Sequence, residues 1–177
     1  MSRLEMRLSG SGGQGLILAG IILAEAAILD KKNAVQSQSY GPEARGGSSK
    51  SEVLISDEVI HYPKVVKPDL LLAMTQEALD KYSYDLPNDA ILVIDTTFVK
   101  DISEQFTNVY KLPVTEQAKE VLGRTLFANI IAIGAIVALT KAVSKESALK
   151  AVLARVPKGT EVKNEQAFEL GMSFVKA

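Results

Sequence analysis

Four glycines and a glutamine crowd one short segment, GSGGQG, where Gly10, Gly12, Gly13, Gln14 and Gly15 follow an alternating stretch (Leu4, Met6, Leu8) and precede a long apolar one starting at Leu16. Gly10, Gly12 and Gly15 satisfy G-x-G-x-x-G. Glycine permits a tight turn and lets backbone N–H groups approach an anion, and a helix beginning there adds its positive N-terminal end. The Gln14 amide can donate or accept. This chemistry suits a phosphate or pyrophosphate, and a tight strand-to-helix turn without a ligand uses the same residues. The segment is not a P-loop, because Leu16 stands where Lys-Ser/Thr would follow. A nicotinamide or flavin dinucleotide also fits poorly. The second strand pattern ends QSQSY, without the acid that holds a ribose, and Asp30 falls at a helix end.

A second stretch, SYGPEARGGSSKSEV from Ser39 to Val53, gathers groups suited to binding. Tyr40 offers a ring and a hydroxyl, Pro42 stiffens the turn beside Gly41, and Glu43 and Arg45 are opposite charges. Gly46 and Gly47 allow close backbone approach, and Ser48 is a hydroxyl donor. Arg45 is a candidate for an anion or interface contact, with local pairing to Glu43 as the alternative; Lys50 is a weaker electrostatic candidate. A loop after the second strand can reach the same sheet edge as the glycine segment, which is where open α/β sheets bind ligands.

Other chemistry is missing from the sequence. No cysteine is present, so there is no thiolate for a disulfide, a zinc site or an iron–sulfur cluster. The one histidine, His61, supports no Ser-His-Asp set and reads as structural. No acidic or histidine cluster has metal-ligand spacing, and no Gly-Asp-Gly to Asn-Asn thiamine signature is found. Twenty basic against twenty-one acidic residues leave a net charge of −1, which argues against broad binding to nucleic acid or an anionic membrane. The most apolar run, Leu126 to Leu139, is shorter than the roughly 20 residues of a membrane span and contains Asn129, so it reads as a buried helix. With no secretory leader legible, a cytoplasmic protein is expected.

These residues need elements to position them. Alternation predicts a first strand over Leu4–Leu8, and a buried helix runs from Leu16 to about Leu29. NAVQSQSY reads as a second strand, GPEARGGSSK as a loop, and SEVLIS and EVIHYP as two strands of a hairpin turning at SDE. Pro68–Met74, Ala90–Asp95 and Thr107–Pro113 read as further strands, the first two without polar alternation. Thr75 caps a short helix to Tyr82, and Tyr82 and Tyr84 precede a turn at Pro87. From Thr115 to about Val143 the pattern is helical with a break at Gly123. Ser144 caps the next helix, to Arg155, and a last helix carries Phe168 and Phe174 inward. The expected fold is one α/β domain over residues 1–177: three layers, α/β/α, with a mixed, mostly parallel sheet and a Rossmann-like glycine-rich first βα turn.

Taken together, GSGGQG with its AG-x-x-LAEAA helix, then QSQSYGPEARGG-S-x-SEV-x-IS and YPKV-x-x-PD, resemble the gamma subunits of 2-oxoacid:ferredoxin oxidoreductases. The resemblance spans the chain and is strongest over residues 9–74; QSYGPEARGG looks most like the 2-oxoglutarate members. It implies a multi-subunit enzyme that converts a 2-oxoacid and coenzyme A to acyl-CoA and carbon dioxide, passing two electrons to ferredoxin. Thiamine diphosphate, magnesium and iron–sulfur clusters would sit on other subunits: thiamine-binding alpha and beta subunits, with a ferredoxin-like delta subunit as a further candidate. This chain would help complete the active-site cleft and dock the thiamine-binding subunits. Its two glycine-rich loops are the candidates for holding coenzyme A. The competing classes are a free-standing nucleotide-dependent enzyme, disfavoured by the missing ribose acid, and a stand-alone nucleotide or acyl-CoA binding module.

Overall fold

Leu4, Met6 and Leu8 face the same way along β1 (Leu4–Ser11) and are buried against one helical layer. The alternate residues are nonetheless not a solvated face: Arg7 and Ser9 are as buried as the leucines, and Glu5 is half-buried. β1 is central in a six-stranded sheet of order β2-β3-β1-β4-β5-β6. The computed structural model describes residues 3–39 and 47–175. β2 is Asn33–Gln38, β3 Ser48–Ser56, β4 Leu70–Ala73, β5 Ile91–Asp95 and β6 Val109–Leu112. β1, β4, β5 and β6 pair in parallel, and β3 runs antiparallel to both of its neighbours, β1 and β2. The sheet is therefore mixed and mostly parallel, as the unalternating runs Leu70–Ala73 and Ile91–Asp95 require.

Two apolar layers close the sheet. On one face α1 (Leu16–Leu29), α3 (Val114–Leu122), α4 (Ala128–Thr140), α5 (Lys145–Arg155) and α6 (Glu161–Ser173) pack with Met6, Leu8, Leu70, Leu72 and Val93. On the other, Leu71, Ala73, Leu92 and Ile94 meet the short α2 (Gln76–Tyr82). Adjacent residues of one strand thus serve opposite cores, following the two-residue period of a strand. Caps set the helix ends. Thr75 Oγ1 accepts from the Ala78 N–H at 3.2 Å, and Ser144 Oγ accepts from the Ser147 N–H at the same distance. Gly123 ends α3 in the left-handed region, and a 3₁₀ turn (Thr125–Phe127) leads into α4. Among the described residues no helix is long and apolar enough to cross a membrane. Phe168 is fully buried, and Phe174 is half-buried against the same core.

The predicted hairpin over residues 51–62 does not form. Both edges of β3 are already occupied, by β2 and β1, so a following strand finds no edge to pair with. Residues 57–69 instead run as a strap held by β1. Arg3 donates to the carbonyls of Tyr62 and Lys64, each at 3.1 Å, and Glu5 Oε2 accepts the Val66 N–H at 2.7 Å. His61 is exposed on this strap rather than set in a hairpin. The antiparallel pairing lies one connection earlier, between β2 and β3, and Ser48, Ser49 and Lys50 belong to β3 rather than to a loop.

Candidate functional site

The glycine segment starts inside β1, which runs through Gly10 to Ser11, and turns into α1 at Gly15. Gly13 and Gly15 have φ of 87° and 75°, backbone that side-chain-bearing residues rarely adopt. The turn is closed by Gln14: its N–H donates to the Ser11 carbonyl at 3.3 Å, and its Oε1 accepts the Ser11 N–H at 2.8 Å. Half of the Gln14 amide is therefore spent on the turn, leaving its NH₂ as the group to offer a ligand. α1 has no side-chain cap. Its first-turn N–H groups have no partner within the helix, and the helix dipole favours negative charge at that end.

The second loop meets this turn. Because β3 runs antiparallel to β1, it begins where β1 ends: Ser11 pairs with Ser48 and Gly10 with Ser49. The Gly12 N–H donates to the Gly47 carbonyl at 3.3 Å. Of the residues expected to bind, Gly10, Gly12, Gly13, Gln14, Gly15, Gly47 and Ser48 thus gather at one corner of the sheet. Tyr40, Gly41, Pro42, Glu43, Arg45 and Gly46 lie outside the described residues. Ser48 is buried, and its Oγ has no hydrogen-bond partner among the described residues. Lys50 does not enter this corner as a free cation. Its Nζ lies 3.2 Å from Glu52 Oε1 and 5.8 Å from the centre of the Tyr82 ring.

A hollow of about 470 Å³ opens over the turn. Ser11, Gly13, Gln14 and Gly15 form its floor, with Leu18, Phe98, Leu126 and Asn129 around it. Phe98 and Leu126 are large apolar side chains left 47% and 66% exposed, so the mouth is greasy while the floor is polar. A second hollow, of about 730 Å³, shares Phe98, Thr115 and Thr125 and adds Lys100 and Lys119. Both lie beyond the carboxyl ends of parallel strands. Beside β1 the chain also changes direction, α1 leading toward β2 and β3, and α2 leading from β4 to β5 on the opposite face. Open α/β sheets bind ligands at such a switch.

Asn129, Phe98, Leu126 and Thr115 are among the residues of this hollow that the sequence did not mark as candidates. Asn129 is 6% exposed. Its Nδ2 donates to the Gly15 carbonyl at 3.2 Å and its Oδ1 accepts the Ile130 N–H at 2.9 Å. The available signal was a single amide in an otherwise apolar run. Thr115, in the first turn of α3, donates through Oγ1 to buried Asp95 at 2.5 Å, and Asp95 also accepts the Thr97 N–H at 3.1 Å. That carboxylate fixes the end of β5 to the start of α3 and is not left for a ribose. Asp30 is likewise committed elsewhere, to Ser144 and Ser147. Burial opposes its ionisation, but hydrogen bonds from Ser147 and Ser144 outweigh that and hold its carboxyl below the ordinary value.

Beneath β3 a buried cation braces the corner. Arg7, 1% exposed, reaches Asp85 at 2.5 and 3.0 Å, Glu52 at 2.9 Å and the Tyr82 carbonyl at 2.9 Å. Burial pulls its pKa down, yet the bonds and charges of Asp85 and Glu52 overcome this and hold it above the ordinary arginine value. Tyr82 is buried and donates to the Ser48 carbonyl at 3.1 Å, whereas Tyr84 is exposed. Among the described residues no group of three or more His, Cys, Asp or Glu is placed to hold a metal ion.

A sequence model of pyruvate ferredoxin/flavodoxin oxidoreductases matches residues 5–174. The chain is 52% identical, over 98% of its length and 95% of the relative's, to 2-oxoglutarate synthase subunit KorC of Methanocaldococcus jannaschii. Its fold superposes with a TM-score of 0.90 on the gamma subunit of a keto/oxoacid ferredoxin oxidoreductase from Geobacter sulfurreducens, at 51% identity over 98% and 96% of the two chains. It also superposes, with a TM-score of 0.87, on 31% of a chain of the Magnetococcus marinus 2-oxoglutarate:ferredoxin oxidoreductase, whose structure holds 2-oxoglutarate, coenzyme A and succinyl-CoA. There 98% of this chain is covered at 20% identity, a likeness of fold.

Proposed function

The chain belongs to the pyruvate ferredoxin/flavodoxin oxidoreductase family, and from that premise we propose how its glycine-lined corner serves the reaction. It is the gamma subunit of a multi-subunit 2-oxoglutarate:ferredoxin oxidoreductase. That enzyme joins the acyl group of 2-oxoglutarate to the sulfur of coenzyme A, releases carbon dioxide and a proton, and gives two electrons to ferredoxin. Thiamine diphosphate, magnesium and iron–sulfur clusters belong, on this reading, to partner subunits, which supply the carbanion chemistry and the electron path. The partners are thiamine-binding alpha and beta subunits and a ferredoxin-like delta subunit, and the complex is cytoplasmic.

The part of this chain is to hold coenzyme A. The carrying observation is the meeting of the two loops, with Gly12 bonded to Gly47 and Ser11 opposite Ser48, on the floor of the hollow. The free N–H groups of α1 and the Gln14 NH₂ suit the phosphates. Leu18, Phe98 and Leu126 suit the apolar length of the ligand. Binding these remote parts positions the thiol against the thiamine-bound intermediate of a partner, where orientation converts binding energy into rate.

Tagged chain recovered anaerobically from its own cells tests this reading. Thiamine-binding and iron–sulfur chains are expected to co-purify, with coenzyme A-dependent reduction of an artificial acceptor fastest on 2-oxoglutarate among a panel of 2-oxoacids. Recovery of this chain alone, inactive under conditions that keep known complexes intact, would favour a stand-alone nucleotide or acyl-CoA binding module. Preference for another 2-oxoacid would keep the subunit role and correct the substrate.

A further inference from the structure

Asn129 joins two helices that both begin at the hollow. α4 has no side-chain N-cap, and the Oδ1 of Asn129 takes up one of its first-turn N–H groups, that of Ile130, at 2.9 Å. Through Nδ2 the same amide bonds the Gly15 carbonyl at 3.2 Å, and that carbonyl also accepts the first intrahelical bond of α1, from Ala19 at 3.0 Å. One carboxamide therefore fixes the first turn of α1 against the first turn of α4. The requirement is for an amide, since one end must donate to a carbonyl while the other accepts from an N–H. Aspartate matches its shape, but ionised it accepts only. It would lose the bond to Gly15 and place a negative charge on the wall of a hollow whose floor suits anions.

The contact is tight as well as polar. A Cβ at Gly15 would lie 2.5 Å from Asn129 Nδ2, so the two positions are packed with no spare room. Asn129 also lines the hollow itself. An otherwise apolar helix would bury an isoleucine or alanine here more cheaply, because a buried amide stabilises only to the extent that its bonds are made.

We propose that Asn129 is a positioning residue for coenzyme A: it locks the glycine turn so that the N–H groups of α1 face the phosphates. The proposal rests on the coenzyme A reading above. It predicts a selective defect in the assembled enzyme, in the KM for coenzyme A rather than in kcat or in the KM for 2-oxoglutarate. For Asn129→Asp, a turn no longer tied to α4 and a negative charge set on the wall of the hollow are expected to raise the coenzyme A KM about tenfold, the factor that about 1.4 kcal/mol of binding corresponds to. Asn129→Ser can still accept from Ile130 but is too short to reach Gly15, and is expected to give a smaller rise in the same parameter. It also serves as the test variant should Asn129→Asp not assemble.

Gly13→Ala, which strains the turn without touching Asn129, separates the two readings. A raised coenzyme A KM in both Gly13→Ala and the Asn129 variants supports the proposal. A rise in Gly13→Ala alone overturns the role of Asn129 and leaves the coenzyme A site standing. No change in any variant removes coenzyme A from this hollow, and the proposal with it. Loss of kcat or of assembled complex in the Asn129 variants, at unchanged coenzyme A KM, makes Asn129 merely structural.

Discussion

Alanine at Gly13 and alanine at Gly15 impose the same backbone demand and differ in what the new methyl group meets. Both glycines sit in the left-handed region, at φ 87° and 75°. An L-residue there costs about 1–2 kcal/mol. A Cβ at Gly13 finds nothing within 4 Å among the described residues, so Gly13→Ala is expected to cost no more than this. A Cβ at Gly15 comes within 2.5 Å of Asn129 Nδ2 and 3.1 Å of its Cγ. The amide must swing away, and its buried Nδ2 loses the Gly15 carbonyl. Leaving a buried donor unpaired adds about 1–3 kcal/mol. Gly15→Ala is thus expected to destabilise the chain by about 2–5 kcal/mol in all. Urea unfolding of the purified chain at neutral pH measures both variants. The decisive comparison repeats Gly15→Ala in an Asn129→Ala background, where the contact no longer exists and the cost should fall to that of Gly13→Ala. Residues in contact show such coupling and distant ones do not. Equal costs for the two glycine variants, or an unchanged cost of Gly15→Ala in the Asn129→Ala background, would refute the reasoning.

Two other perturbations test the frame around the site. Arg7→Ala should cost about 3–5 kcal/mol, because it takes the cation from Asp85, leaves Glu52 with Lys50 alone and empties a fully buried volume. Arg7→Met, which refills most of that volume, should unfold at a clearly higher urea concentration than Arg7→Ala; equal midpoints would mean that the ion pairs alone matter. Asp30→Asn tests linkage. The Asp30 carboxyl is held below its ordinary pKa in the folded chain, so its contribution is fully present above the unfolded value of about 3.9 and is lost as pH falls through the folded value. The stability gap between wild type and Asp30→Asn should be widest near pH 7 and narrow below about pH 4, measured by urea midpoints; a gap independent of pH would count against the assignment.

The parts of the fold visible in the sequence are those whose determinants are local. Unbroken apolar runs at Leu70–Ala73 and Ile91–Ile94 mark strands covered on both faces, and they are such strands. Thr75, Gly123 and Ser144 act at helix ends through bonds to their own neighbours, so their residue types suffice. The missing hairpin is a different case. Nothing in EVIHYP itself forbids a strand; it fails because β1 and β2 have already taken the two edges of β3, a fact about residues some twenty to fifty positions earlier. Arg7 misleads for the same reason. Its place between Met6 and Leu8 does not reveal its burial, because Glu52 and Asp85, far along the chain, supply the charges that let it be buried.

The site divides along the same line. Glycines at a strand-to-helix turn announce a backbone shape, and Gly13 and Gly15 adopt it. What the turn faces is set by elements that arrive much later, and no local pattern names them. Asn129 is the instructive residue. An amide inside a buried apolar helix needs partners, because an unpaired one costs more than its absence. The sequence therefore implies that a partner exists without saying where. The partner is the carbonyl of Gly15, across the helix layer, and finding it turns an anomaly in one helix into a constraint on the loop that another helix begins from. A lone polar residue in an apolar helix, beside a glycine turn elsewhere in the chain, is thus a pairing worth testing before either is read alone.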